Sequence, residues 1–466
     1  MVGRPQPHLA MLEPPVRQLC AYAVITLFVV FFFASGLSYH FSNDDLPFLS
    51  AYTTQRFPDF SQYPDLKTLS AHQFPLDDPS RRIIIVGDIH GQYEYFSKLL
   101  EKVSYKPASD VLIHVGDIVT KGSHNGSMQV LSYMASHNTT GVRGNHDQKV
   151  VEWRAWIHWI RSQRGGPRWL QHLSDAWSAE QADSPNPEAF VESQRKKSKH
   201  SHWWKKVPKG WKLFGDHFTI ARAMSDAEYE YLRALPLTIH IPNAHAYIVH
   251  AGLLPSDPTY TPDHPGQPLA TVPRLPKGSE RGKTQDETNR ILRTLQERAI
   301  LSNVPQNTVP YNVLNMRSIL HGKVHKGSAG KAWSKAWKHD MKRCQGFNQE
   351  LSVTKPQKEL LPCYPSTVIY GHAASRGLDI KRWSIGLDSG CVYDRRLTAL
   401  VLGSEDALSS SARRDDNRDL NDDDKDREEH VDEPEEDDTD TLEANQHGIP
   451  FGDSHHGKIV SVSCAR

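Results

Sequence analysis

Apolar residues occur along this chain in short runs that break at glycine and then present an acid or a histidine. The first such run, Ile83 to Val86, sits in RRIIIVGDIHGQ and has the continuous apolar character of a strand covered on both faces. Gln92 to Val103 follows with apolar residues at helical spacing, so the chain must turn between Gly87 and Gly91. A second strand, Val111 to Val115, leads into GDIVTKG and a helix near Met128 to Ser136. A short third strand around Val142 ends in GNHD. Strands alternating with helices predict an α/β layered domain with parallel pairing and every polar cluster on one edge. Trp153, Trp156 and Trp159, three apart on a helix spanning Val150 to Ile160, face the core. Leu397 to Leu402 and Lys458 to Cys464 read as a pair of strands close to the end of the chain.

Outside this pattern, Leu19 to Ser38 carries no charge over about 20 residues, enough to cross a bilayer as a helix. Arg4 and Arg17 precede it and Asp44 and Asp45 follow, which leaves residues 1–18 in the cytosol and the body in a lumen. Cleavage near Ala34-Ser35-Gly36 is the alternative to an uncleaved signal anchor. Residues 39–80, rich in Pro, Asp and Ser, read as a stalk. Cys344 and Cys363 bracket a polar segment and are candidates to pair, as befits an oxidising compartment. Cys391 sits in a strand, and Cys464 ends the last apolar run. The sequons at Asn125 and Asn138 accept glycans if the body is lumenal.

Charge changes this picture in two places. The 55 acidic and 55 basic residues balance, yet 17 acids against 3 bases lie between Asp415 and Glu443. Residues 404–457 therefore read as an acidic insertion between the terminal strands, the second of them assigned to 458–466, and the rest of the body is basic. Residues 194–212 interleave Lys and Arg with Trp203, Trp204 and Trp211. This stretch reads as a solvated insertion, with contact to a phosphate chain as the alternative; no nucleic acid partner is expected.

The chemistry lies in five clusters: GDIHG at 87–91, GDIVTKG at 116–122, RGNHD at 143–147, VHAGLLP at 249–255 and YGHA at 370–373. Together they offer Asp88, His90, Asp117, Asn145, His250 and His372, oxygen and nitrogen ligands suited to two divalent ions such as Zn, Mn, Co or Fe. A bridging ligand needs two oxygens, which points to Asp117, with Asp88 and His90 completing one ion and Asn145, His250 and His372 the other. Such a pair supplies a water-derived nucleophile for attack on phosphorus. His146, beside a ligand, is the candidate acid for the leaving oxygen. Arg143, Lys121 and Arg317 are candidates to meet phosphate charge.

In order and in residue type, these clusters resemble the phosphoprotein phosphatase branch of the calcineurin-like metallophosphoesterases. The resemblance implies a central β-sandwich flanked by helices across 81–403, with a dinuclear site at its edge. Protein phosphatases of the branch carry GDxVDRG, whose second Asp orients the catalytic histidine and whose Arg holds phosphate; Thr120 and Lys121 stand at those positions here. GDIVTKG, HAGLLP and GHAASRGLD are similar to the ApaH-like phosphatases. The N-terminal anchor adds a likeness to fungal vacuolar endopolyphosphatases. What that likeness implies is a type II vacuolar membrane enzyme that cuts internal phosphoanhydride bonds of inorganic polyphosphate. Dinucleoside polyphosphate hydrolysis and Ser/Thr phosphoprotein dephosphorylation are its rivals, and an inactive polyanion-binding membrane protein is a remote one.

Overall fold

A computed structural model describes residues 57–180, 186–278, 283–347, 360–404 and 448–465. The expected membrane segment, 19–38, and most of the acidic insertion lie outside the described residues. Among the described residues, no helix is long and apolar enough to cross a membrane. Every described strand and helix belongs to the unit Asp59–Arg466.

Two six-stranded sheets form the centre of this unit. One runs, from edge to edge, through Leu66–Thr68, Thr238–Ile241, Ala246–Val249, Thr367–Tyr370, Ser384–Gly386 and Asp379–Lys381. The other runs through Ile449–Phe451, His455–Ser463, Arg396–Leu402, Ile83–Val86, Val111–His114 and Thr140–Gly141. Alternation along the strands explains why the apolar runs are continuous. Ile83 and Ile85 point into the core shared with Ile239, Ile248 and Ile369 of the other sheet. Ile84 and Val86 point the other way, into the helices that carry Phe96, Leu99, Val130 and Trp153. The opposite outer face is covered in the same manner, Tyr247, Val249 and Tyr370 packing on Trp333 and Trp337. The result is a mixed α/β fold of two sheets with helices outside both.

The expected parallel pairing holds where the site is built. Ile83–Val86 pairs parallel with Val111–His114, which pairs parallel with Thr140–Gly141, and Thr367–Tyr370 lies parallel to Ala246–Val249. Arg396–Leu402 and His455–Ser463 run antiparallel to each other, as terminal strands separated by an insertion.

Several boundaries need correction. Residues 59–80 are not a stalk: Leu66–Thr68 pairs with Thr238–Ile241, and Phe60, Leu69, Phe74 and Leu76 are buried. Pro and Asp between those apolar anchors hid the periodicity. The acidic insertion ends sooner than 457, because Ile449–Phe451 is a strand on His455–Ser463. In residues 194–212, Trp203 and Trp204 are buried and stack against the helix Gly166–Glu180 through Trp169, whereas Arg195, Lys196, Lys197, Lys199, Lys205 and Lys209 are exposed. The segment is an integral part of the helical layer with a cationic outer face.

Candidate metal centre

Each ligand candidate stands where a strand has just ended or a helix begins. Asp88 and His90 follow Ile83–Val86, Asp117 follows Val111–His114, His250 follows Ala246–Val249, and His372 follows Thr367–Tyr370. Asn145 opens the helix Asn145–Ser162. The turns are tight. His90, Asp117 and His372 adopt left-handed backbone, with φ of 47°, 49° and 69°, a conformation that costs on the order of 1–3 kcal/mol each and persists where surrounding structure imposes it. Glycine makes the convergence possible at two places: a Cβ at Gly144 would collide with Asp117 Oδ1, and one at Gly371 with Asp88 Oδ1.

The side chains gather into two buried triads, Asp88–His90–Asp117 and Asp117–His250–His372, with the ligand atoms of each triad within 4.8 Å of one another. Asp117 belongs to both, the place a bridging carboxylate would take. Its Oδ2 lies 3.6 Å from His90 Nε2 and 3.4 Å from His250 Nε2. Asn145 Oδ1 lies 3.0 Å from both His250 Nε2 and His372 Nδ1, which are 3.2 Å apart. The ligands are held from behind. His250 Nδ1 lies 3.0 Å from the Val115 carbonyl oxygen, which turns Nε2 toward Asp117. The backbone N–H of His372 donates to the Asp88 carboxylate, and that of His146 to Asp117 Oδ1.

The electrostatics are those of a site built for positive charge. Burial, then Asp388 and Asp117, holds the Asp88 carboxyl well above the usual carboxylate range. Burial pushes the His90 imidazole down to about 3, so it is neutral and has a lone pair to give. Burial works against ionisation of Asp117 too, but His250, His146 and His90 draw its carboxyl well below the usual range. Convergent carboxylates, imidazoles and an amide oxygen fit two divalent cations. Asp88, His90 and Asp117 would hold one, and Asp117, Asn145, His250 and His372 the other.

Residues 81–252 match the model of the calcineurin-like phosphoesterases. A 100-residue segment of this chain is 33% identical to serine/threonine-protein phosphatase 1 of Salmonella typhimurium, covering 22% of this chain and 45% of that protein. A 69-residue segment is 43% identical to the symmetrical bis(5'-nucleosyl)-tetraphosphatase of Haemophilus ducreyi, covering 14% of this chain and 25% of that one. This chain thus spans less than half the length of these relatives. A solved structure provisionally named a diadenosine tetraphosphatase overlays with a TM-score of 0.37 at 23% identity, covering 73% of this chain and 94% of that one.

Around this centre, the other expected residues fare differently. His146 lines a cavity of about 360 Å³ together with Asn145, His217, Tyr63, Tyr311 and Asn315. Lys121 Nζ reaches to 3.3 Å from His90 Nε2. Arg317 is half-buried beside the centre and donates from Nη2 to the His372 carbonyl oxygen at 3.0 Å. Arg143 is a correction. It is wholly buried, and its guanidinium donates to Gln148 Oε1 and to the carbonyl oxygens of Gln62 and Arg233. Those bonds engage the guanidinium in tying the metal loop to residues 62 and 233, so the phosphate-holding place expected for it is not seen.

Two residues escaped the sequence reading. Asp388, buried in GLDSG after the strand Ser384–Gly386, is the largest neighbouring charge acting on Asp88. Its signal was present, since an acid after a strand end also marks Asp88 and Asp117. His217, whose Nε2 lies 3.0 Å from His146 Nδ1, lies 71 residues away in the first turn of the helix Asp216–Ala223 and had no such signal. Asp147, adjacent to His146, is structural: it accepts the N–H groups of Gly144 and Ile118 and caps its helix.

Proposed function

We propose that this chain is a dinuclear-metal phosphohydrolase that cleaves internal phosphoanhydride bonds of inorganic polyphosphate. The observation that carries the phosphohydrolase reading is the pair of buried triads sharing Asp117. When bound, two divalent cations supply Lewis acidity toward phosphoryl oxygens and a deprotonated water at neutral pH. The protein's own residues do the rest. Lys121 and Arg317 bring positive charge to the rim of the centre, where phosphate charge has to be met. His146 gives a proton to the leaving oxygen as the P–O bond breaks, and Asp117 fixes the His146 backbone.

Polyphosphate is supported by the exposed cations between Arg195 and Lys209 and by the likeness to fungal vacuolar endopolyphosphatases. Disulfides Cys344–Cys363 and Cys391–Cys464 support a lumenal body behind a membrane anchor at 19–38, with the vacuole membrane as its site.

A second reading has its own observation. The cavity beside His146 offers Tyr63 and Tyr311, the side-chain amide of Asn315, and a Lys149–Glu152 pair whose charges cancel at 2.9 Å. Such a lining suits a nucleobase better than a polyanion, and so favours a dinucleoside polyphosphate.

The deciding experiment incubates residues 41–466 with a panel of divalent metals and offers long polyphosphate, diadenosine tetraphosphate and a phosphopeptide. Shortened chains without early orthophosphate release establish internal cutting. Activity confined to the dinucleotide establishes the second reading, and activity confined to the phosphopeptide overturns both.

A further inference from the structure

We infer that His217 is the positioning residue for the proton donor His146, holding its imidazole through an Nδ1–H to Nε2 hydrogen bond so that Nε2 is left for the substrate. The inference rests on the reading of His146 as the acid of a phosphohydrolase, and extends it to a residue on a separate element.

The geometry comes from three observations. The two nitrogens are 3.0 Å apart, and the ring planes are nearly parallel, with 11° between them and 5.1 Å between centroids, about the separation that an N–H···N bond along both ring axes gives. That is the arrangement of an in-plane hydrogen bond between imidazoles. His217 is itself fixed: it is the second residue of the helix Asp216–Ala223, whose first residue accepts the backbone N–H of Lys121 at 2.8 Å. The start of that helix is thereby tied to the loop that carries Asp117. Among the described residues, no other side chain takes the role. Thr120 Oγ1 is buried with no hydrogen-bond partner among the described residues, and both Asp147 oxygens accept backbone N–H groups.

Burial pushes the His217 imidazole down to about 3, so it is neutral and offers a lone pair at Nε2 when its proton is on Nδ1. His146 then keeps its Nδ1 proton throughout. As the P–O bond breaks, its electron pair goes to the leaving oxygen, the Nε2 proton of His146 moves onto that oxygen, and His146 is left neutral. A neutral partner orients the acid without adding a further negative charge to a site that already buries Asp88, Asp117 and Asp388.

The test compares His217→Phe, which keeps a flat ring and loses the acceptor, with His217→Gln, whose side-chain oxygen can stand near the place of Nε2. Phenyl phosphate, a poor leaving group, and p-nitrophenyl phosphate, a good one, are the substrates, so the outcome does not depend on polyphosphate. His217→Phe is expected to lower kcat for phenyl phosphate about tenfold or more, and for p-nitrophenyl phosphate less than about threefold, because acid catalysis matters most for the poorer leaving group. KM and metal content stay unchanged, and His217→Gln recovers most of the loss. In the metal-free protein, ¹⁵N spectra of His146 are expected to show a protonated Nδ1 in the wild type and a changed tautomer balance in His217→Phe. Equal losses on both substrates, or ¹⁵N signals of His146 that do not respond, would overturn the assignment. If the protein hydrolyses neither aryl phosphate, polyphosphate cutting remains the test of the phosphohydrolase reading, and the ¹⁵N comparison alone decides whether His217 sets the His146 tautomer.

Discussion

Two clusters of buried carboxylate and imidazole lie on different elements of this molecule, and only one is built for cations. Around Glu297, on the helix Gln285–Asn303, each carboxylate oxygen meets its own histidine: Oε2 lies 2.6 Å from His240 Nε2 and Oε1 2.8 Å from His245 Nδ1. Arg293 adds charge nearby and is itself paired with Asp453. The cluster closes on itself. At the metal centre, imidazole nitrogens stand 3.4–3.9 Å from carboxylate oxygens, and two of them face the same amide oxygen. Among the described residues, only there do such atoms converge within 4.8 Å in threes. Residue type therefore says little. What separates a structural cluster from a ligand set is whether the lone pairs find protons or find one another.

The sharpest break in this comparison is Asp117→Asn. It is expected to reduce turnover below detection and to deplete both ions in elemental analysis; unchanged metal content would refute the bridging role. Next is Glu297→Ala, which leaves two histidines and an arginine without their buried partner. A loss of about 3–5 kcal/mol is expected in denaturant unfolding, with turnover per folded molecule unaltered.

The two regions should also answer acid in opposite directions. Burial would raise the Glu297 carboxyl, but the hydrogen bonds from His240 and His245 leave it below its ordinary value. A depressed folded-state value stabilises the protein above the unfolded value, and this contribution is lost as pH falls through the folded one. In the metal-free centre the sign reverses. Burial and neighbouring acids hold Asp88 well above, and Asp388 above, the ordinary value, so these two carboxyls carry more protons folded than unfolded, and their contribution to stability falls as pH rises through that window. Added Mn²⁺ is therefore expected to raise Tm more at pH 8 than at pH 5, and an equal gain at both would contradict the assignment. The smallest effect concerns the rim. Lys121→Ala and Arg317→Ala are each expected to raise KM by about tenfold, the worth of one charge-assisted hydrogen bond, with metal content intact.

Much of the centre was legible because the fold repeats one device. A buried parallel strand must be apolar, it must stop where backbone turns sharply, and the first polar residues beyond it are the ligand candidates. Asp88, Asp117, His250 and His372 all carry that mark. What the sequence concealed depends on contacts between distant elements. His217 is an ordinary histidine until the helix Asp216–Ala223 is brought against residue 146. Arg143 looks like a phosphate ligand from its neighbours in sequence, but the carbonyl oxygens that claim it belong to residues 62 and 233. Leu66–Thr68 has too few apolar residues to declare itself a strand, and becomes one because Thr238–Ile241 offers an open edge.

Cys391 and Cys464 form a covalent loop 73 residues around that contains all of the acidic stretch from 415 to 443. A protease that cuts within that stretch would leave two fragments joined by sulfur, with His455–Ser463 still laid along Arg396–Leu402. The nicked chain would migrate as one species until a reductant is added, and only then would the sheet be free to shed its last strand.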